Sequence, residues 1–167
     1  MTEPAATANL RYTLTTTPEG LLPATAGHAR QGRLEITAGN PDSRSPATCR
    51  SITLTVPTDP SGAALTHYPE RINTGYSGPG TWYIERNFAD PGSAVFTFRP
   101  SNRRHEARFD GSAGLVLILD AIPLTTRSGD VELKISDETR SESGAHGFTS
   151  GEATVTVTIS PAPAQQN

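Results

Sequence analysis

The sequence predicts an all-β fold, an antiparallel two-layer β-sandwich or jelly roll with little or no helix. Three observations carry this. Apolar and small polar residues alternate in eight short runs. Clusters of Gly, Pro, Asp and Asn separate the runs. No window of useful length shows the apolar stripe of an amphipathic helix. A period of two marks a strand with one buried and one wet face, and such strands joined by turns pack as two sheets.

The runs follow in order. Leu10–Thr15 turns Leu10, Tyr12 and Leu14 to one side. Arg33–Ala38 does the same with Leu34 and Ile36, and Ser51–Val56 alternates before stopping at Pro57. Thr81–Arg86 sets Trp82 and Ile84 on one face, and Ala94–Phe98 aims Phe96 and Phe98 together. Leu115–Leu119 is apolar on both faces, which predicts a central strand or one covered on both sides. Val131–Ile135 alternates cleanly. In Ala153–Ser160, Val155, Val157 and Ile159 oppose Thr154, Thr156 and Thr158. The hydrophobic fraction is only 34%, because threonine fills many strand positions and suits them. The turns fall at Gly39–Asp42, Asp59–Gly62, Asp90–Gly92, Asp110–Gly111 and Ser128–Asp130. His67–Gly80 and Ser136–Gly151 are too long for tight hairpins and are expected to be loops, a length often tied to function.

The 167 residues suit one domain, expected over residues 9–160, with flexible polar tails at 1–8 and 161–167. The net charge of -3 gives no general attraction to nucleic acid. Lys134 is the only lysine, and the Arg bias with abundant Ala, Gly and Pro fits a GC-rich bacterial genome. Cys49 stands alone, so no intrachain disulfide or cysteine metal cluster can form. The N-terminus lacks the basic and apolar regions of a signal peptide, and no apolar run is long enough to span a bilayer. The default expectation is a cytoplasmic protein, with a removed leader or unconventional export left open.

The stretch Leu34-Glu35-Ile36-Thr37-Ala38-Gly39-Asn40-Pro41, followed by Ile52-Thr53-Leu54-Thr55-Val56-Pro57, resembles bacterial immunoglobulin-like sandwich modules. There, a strand ends in Asn-Pro and the next runs as β-branched residues into a proline. The resemblance covers about a seventh of the chain. It implies an immunoglobulin-like sandwich, and adhesion or scaffolding by analogy.

The standard catalytic motifs are absent. Gly75-Tyr76-Ser77-Gly78 runs into Pro79, so there is no G-x-S-x-G elbow, and no phosphate-cradling glycine loop occurs. His105-Glu106 lacks a second histidine at zincin spacing. His28, His67, His105 and His146 are scattered without ligand spacing and read as solvated loop residues. No metal and no cofactor are expected. Glu85, Asp110 and Asp120 are carboxylates that could converge, and a pair roughly 5–9 Å apart would point to glycosidase chemistry.

Two segments are candidate sites. His67–Tyr83 holds Tyr68, Tyr76, Trp82 and Tyr83 beside Arg71 and Asn73. Exposed rings flanked by amide and guanidinium donors suit a sugar or peptide, while the plain reading makes Trp82 a core residue and the tyrosines braces. Arg99, Arg103, Arg104 and Arg108 fall within ten residues and could hold a phosphate, sulfate or acidic partner; the plain reading is a solvated hairpin loop with acidic neighbours. The polar stretch Asp137–Gly147, with Glu142 and His146, reads as a flexible loop.

These observations favour a non-enzymatic module recognising a protein partner through loops 67–83 and 99–108 at one end of the sandwich. The alternatives are a lectin-like carbohydrate binder using Trp82, Tyr76 and Tyr83, and a membrane-active or pore-forming β protein. Homo-oligomers could form through sheet edges, and the outer faces are expected to carry threonine and little charge.

Overall fold

The computed structural model describes residues 10–25, 27, 29–40, 45–59, 62–111, 114–141 and 147–160. The expected tails lie outside these, as do Pro41, Asp42, His28, Glu142 and His146. Among the described residues ten strands form two antiparallel sheets. The four-stranded sheet contains β1 (Arg11–Thr17), β2 (Gln31–Gly39), β8 (Leu115–Pro123) and β4 (Asn73–Ser77), in that spatial order. The larger sheet runs β10 (Thr149–Ile159), β9 (Gly129–Ser141), β3 (Ala47–Pro57), β6 (Ser93–Pro100) and β5 (Trp82–Asn87). Its sixth strand, β7 (Ala107–Phe109), pairs with the start of β3. The two-layer all-β architecture expected from the alternation is what the structure has.

The core lies between the sheets. In β6, Ala94, Phe96 and Phe98 are buried while Val95, Thr97 and Arg99 are not. From the other sheet Leu34, Ile36, Leu117 and Leu119 face them, all essentially without solvent contact. Burying such side chains stabilises the fold by about 1.5–3 kcal/mol each. Trp82 and Phe109 meet edge to face at 6.3 Å where β5 and β7 approach the core.

Both expected loops are corrected. Within 67–80, a 3-10 turn at Pro69–Arg71 leads into β4, which pairs with β8. Within 136–151, β9 continues to Ser141 and β10 already begins at Thr149. Burial alternates along β9 past Ile135, but its inward residues become Asp137 and Thr139. Hydrophobic periodicity stops there although the strand does not.

One irregularity shapes the outer face of the larger sheet. On one flank of β3, Ile52 pairs with Phe98 of β6 and Cys49 pairs with Ala107 of β7. Residues 99–106 therefore stand opposite only Arg50 and Ser51. The surplus chain cannot stay in the ladder and leaves it as a turn. On the other flank the register with β9 shifts between Cys49 and Ser51, a bulge at Arg50. Bulges bend a strand and re-aim a side chain.

Candidate functional site

The turn after β6 and the bulge in β3 define an open groove on the outer face of the larger sheet. It consists of two adjoining hollows of roughly 490 and 470 Å³ that share Arg104 and Glu106. That size suits a small-molecule ligand. Tyr83 and Glu85 of β5, Arg99 of β6, Arg50 of β3 and Phe148 ahead of β10 line the first hollow. Arg103, Arg108 and Arg140 line the second. Tyr83 stands directly across the ladder from Arg99.

Charge is paired across this surface. Arg50 Nε donates to Glu138 Oε2 at 2.6 Å. Arg99 lies 3.4 Å from Glu85, and Arg140 Nη2 donates to Glu106 Oε2 at 3.3 Å. The guanidiniums of Arg50 and Arg140 also sit 4.5 and 5.0 Å from the centroid of the Phe148 ring. Such half-exposed pairs are worth about 0–1 kcal/mol each, so a ligand oxyanion can displace a carboxylate partner at small cost. Together the hollows present six guanidiniums against the carboxylates of Glu85 and Glu106, in a chain whose net charge is -3. The expected outer face of threonine and little charge is found at Thr154, Thr156 and Thr158 of β10 but not at the groove.

The turn is held by one side chain. Asn102 Nδ2 donates to the carbonyl of Glu106 at 2.6 Å, and its Oδ1 accepts from the Glu106 amide at 3.1 Å. His105 N donates to the Asn102 carbonyl, and His105 adopts φ 55°. Left-handed backbone at a residue other than glycine is uncommon and marks a conformation imposed by its surroundings.

The predicted aromatic set is not one site. Tyr83 is 40% exposed and lines the groove. Trp82 is 5% exposed and its indole N–H donates to the Pro79 carbonyl, so it offers no ring face. Tyr76 packs against the core from β4, in the other sheet. Tyr68 and Arg71 stack on each other at 4.8 Å beside the 3-10 turn, and Asn73 opens β4 as an exposed residue. The basic set does gather: Arg99, Arg103, Arg104 and Arg108 all line the two hollows. Asp120 pairs with Arg33 on the four-stranded sheet, away from Glu85 on β5 of the other, and Asp110 pairs with Arg108. Sequence reading missed Arg50, Glu138, Arg140 and Phe148. The one available signal was Arg50, which interrupts the alternation of β3 just before Ile52.

A second ionisable cluster lies inside the sandwich. Asp137 is 1% exposed, and its Oδ2 accepts from the Tyr12 phenol at 2.7 Å and from the Leu10 amide at 3.2 Å. Burial, aided by the Asp137 charge, raises the Tyr12 phenol far above its ordinary range. Burial also pushes the Cys49 thiol up to about 12, partly offset by a backbone hydrogen bond at Ser51. Among the described residues no group of three His, Cys, Asp or Glu side chains could hold a metal ion. No helix among them is long and apolar enough to cross a membrane.

Compared by sequence, the chain matches no protein-family model and no curated protein. Compared by structure, it is similar to a solved chain described as AvmM, which catalyses macrocyclization in alchivemycin A biosynthesis. The two are 11% identical, with a TM-score of 0.50 over 95% of this chain and 93% of that one. This likeness corrects the expectation that the chain is no enzyme. It likewise runs against the non-enzymatic binding module and its two alternatives, the lectin-like binder and the membrane-active or pore-forming protein. A catalyst described on this fold means that a plain sandwich is no argument against an enzyme, since fold does not dictate activity.

Proposed function

We propose that the chain is an enzyme that closes a ring in a flexible substrate held in the groove around Arg104. The carrying observation is the groove itself: five chain segments bring guanidiniums, carboxylates, Tyr83 and His105 to one rigid turn. The described activity of a protein sharing the fold, macrocyclization, supports this choice of reaction. Ring closure is limited by the entropy of bringing two distant ends together, a term that grows as about (3/2)RT ln n with chain length. A surface that holds a chain folded, with its ends in contact, supplies that term directly. The arginines are placed to hold oxyanions of the substrate. Tyr83, His105 and Glu106 are the groups placed to give or take protons.

The test is deletion of the gene in its host with mass spectrometry of small metabolites. An open-chain compound should accumulate, and the purified protein should convert it to a cyclic product. Tyr83→Phe and His105→Ala should each slow that conversion, by about tenfold or more. An unchanged metabolite profile, or an open-chain compound that the protein leaves unchanged, sinks the reading.

A further inference from the structure

We infer that the groove takes a flexible substrate that carries a carboxylate beside a flat apolar group, the carboxylate seated on Arg104 and Arg103 and the flat group against Tyr83. This deepens the catalytic reading of the groove and rests on it for the word substrate. Four of the six guanidiniums already have a carboxylate partner. Arg50 pairs with Glu138, Arg99 with Glu85, Arg108 with Asp110 and Arg140 with Glu106. Among the described residues Arg103 and Arg104 make no ion pair, yet they are consecutive and both line the groove. Two adjacent cations repel one another, and solvent or a bound anion must compensate them. A guanidinium presents two parallel N–H donors that match the two oxygens of a carboxylate.

The turn fixes the backbone that carries both arginines before any ligand arrives. Asn102 closes residues 102–106 with both ends of its amide, and His105 holds a left-handed backbone between Arg104 and Glu106. Preorganisation of this kind lowers the entropy lost on binding. The apolar half of the ligand follows from Tyr83. It is the large exposed ring that lines the groove, whereas exposed Tyr68 and Phe88 do not. The ring face of Phe148 is already met by two guanidiniums. A flat group laid on Tyr83 gains ring-on-ring contact.

The experiment uses 2-naphthoate as probe, with 2-naphthamide, acetate and inorganic phosphate as comparisons, followed by amide NMR shifts of the whole chain. Naphthoate should bind saturably, shift signals within residues 99–106 and near Tyr83, and weaken as salt rises. Naphthamide, acetate and phosphate should each bind at least about tenfold more weakly. Arg104→Ala should weaken naphthoate by about tenfold or more, while Arg127→Ala, outside the groove, leaves it unchanged. Tyr83→Leu should weaken naphthoate but not acetate. Equal binding of naphthoate and naphthamide, or naphthoate binding that survives Arg104→Ala, overturns the carboxylate seat. Phosphate binding as tightly as naphthoate overturns the flat group. No step here measures turnover. A silent deletion strain leaves this seat standing, and a failed titration leaves ring closure to be judged by its own assay.

Discussion

The phenol of Tyr12 donates a 2.7 Å hydrogen bond to Asp137, 125 residues further along the chain. Tyr12 lies on β1 at the edge of the four-stranded sheet, and Asp137 points inward from β9 of the other. A single buried carboxylate oxygen thus ties the two layers, and the Leu10 amide supplies a second donor to it.

Removing one donor leaves that carboxylate short of partners in a dry place. Tyr12→Phe should lower the unfolding free energy by about 1–3 kcal/mol, measured by urea denaturation. Asp137→Ala, which also orphans the phenol and the amide, should destabilise at least as much. Unchanged urea midpoints would show that the contact does not tie the layers.

The two raised groups predict how stability responds to base. The folded chain keeps protons on Tyr12 and Cys49 that the unfolded chain releases near their ordinary values, about 10 and 8.5. The unfolded state therefore binds fewer protons at high pH, and stability falls as pH rises through this window. The contribution of Cys49 is complete below about 8.5 and is lost as pH climbs toward 12. The urea midpoint should drop between neutral and strongly basic solution. Iodoacetamide should leave Cys49 unmodified in the native protein at mildly basic pH and label it once denaturant is added.

Asn102 makes a local prediction. Asn102→Ala removes both side-chain bonds that close the turn, on a surface where little core packing depends on them. Exchange of the Glu106 amide with deuterium should speed up by about tenfold or more, while the melting temperature moves little. Naphthoate affinity should fall with it. A turn that exchanges at the wild-type rate would mean that other contacts hold Arg103 and Arg104.

Gly114 tests the packing of the smaller sheet. A Cβ there would lie 2.6 Å from the Ala38 carbonyl oxygen and 3.1 Å from the Thr37 methyl. Since the close neighbour is backbone, β2 and β8 would have to move apart. Gly114→Ala should destabilise by about 1–3 kcal/mol and lower the melting temperature accordingly.

The sheets were legible where burial and hydrophobicity coincide. Phe96 and Phe98, or Val155, Val157 and Ile159, announce both a strand and its inner face. Legibility ended where the inward position is polar. Asp137 and Thr139 continue the inner face of β9, but only a partner such as Tyr12, remote in sequence, makes their burial tolerable. The strand β4, Asn-Thr-Gly-Tyr-Ser, has almost no apolar residue and exists because β8 offers it a ladder. The basic half of the groove could be read because Arg99 to Arg108 are neighbours in sequence. Tyr83 could be named as an exposed ring, but Arg50, Arg140 and Phe148 could not, because they meet it only after the strands align and a turn folds out over them.

The bulge at Arg50 and the surplus turn opposite it separate two kinds of inheritance. Core side chains sit at alternate positions facing inward, and the groove is written on the positions between them and on chain that has left the ladder. Single substitutions can therefore rewrite the chemistry of the face without disturbing a buried contact, and the turn can lengthen or shorten without shifting the register of β3. A solved chain of similar fold is only 11% identical to this one, so the fold accommodates very different sequences. For engineering, the same separation makes residues 99–106 and the outward positions of β3, β5 and β6 the place to vary, with the interior left alone.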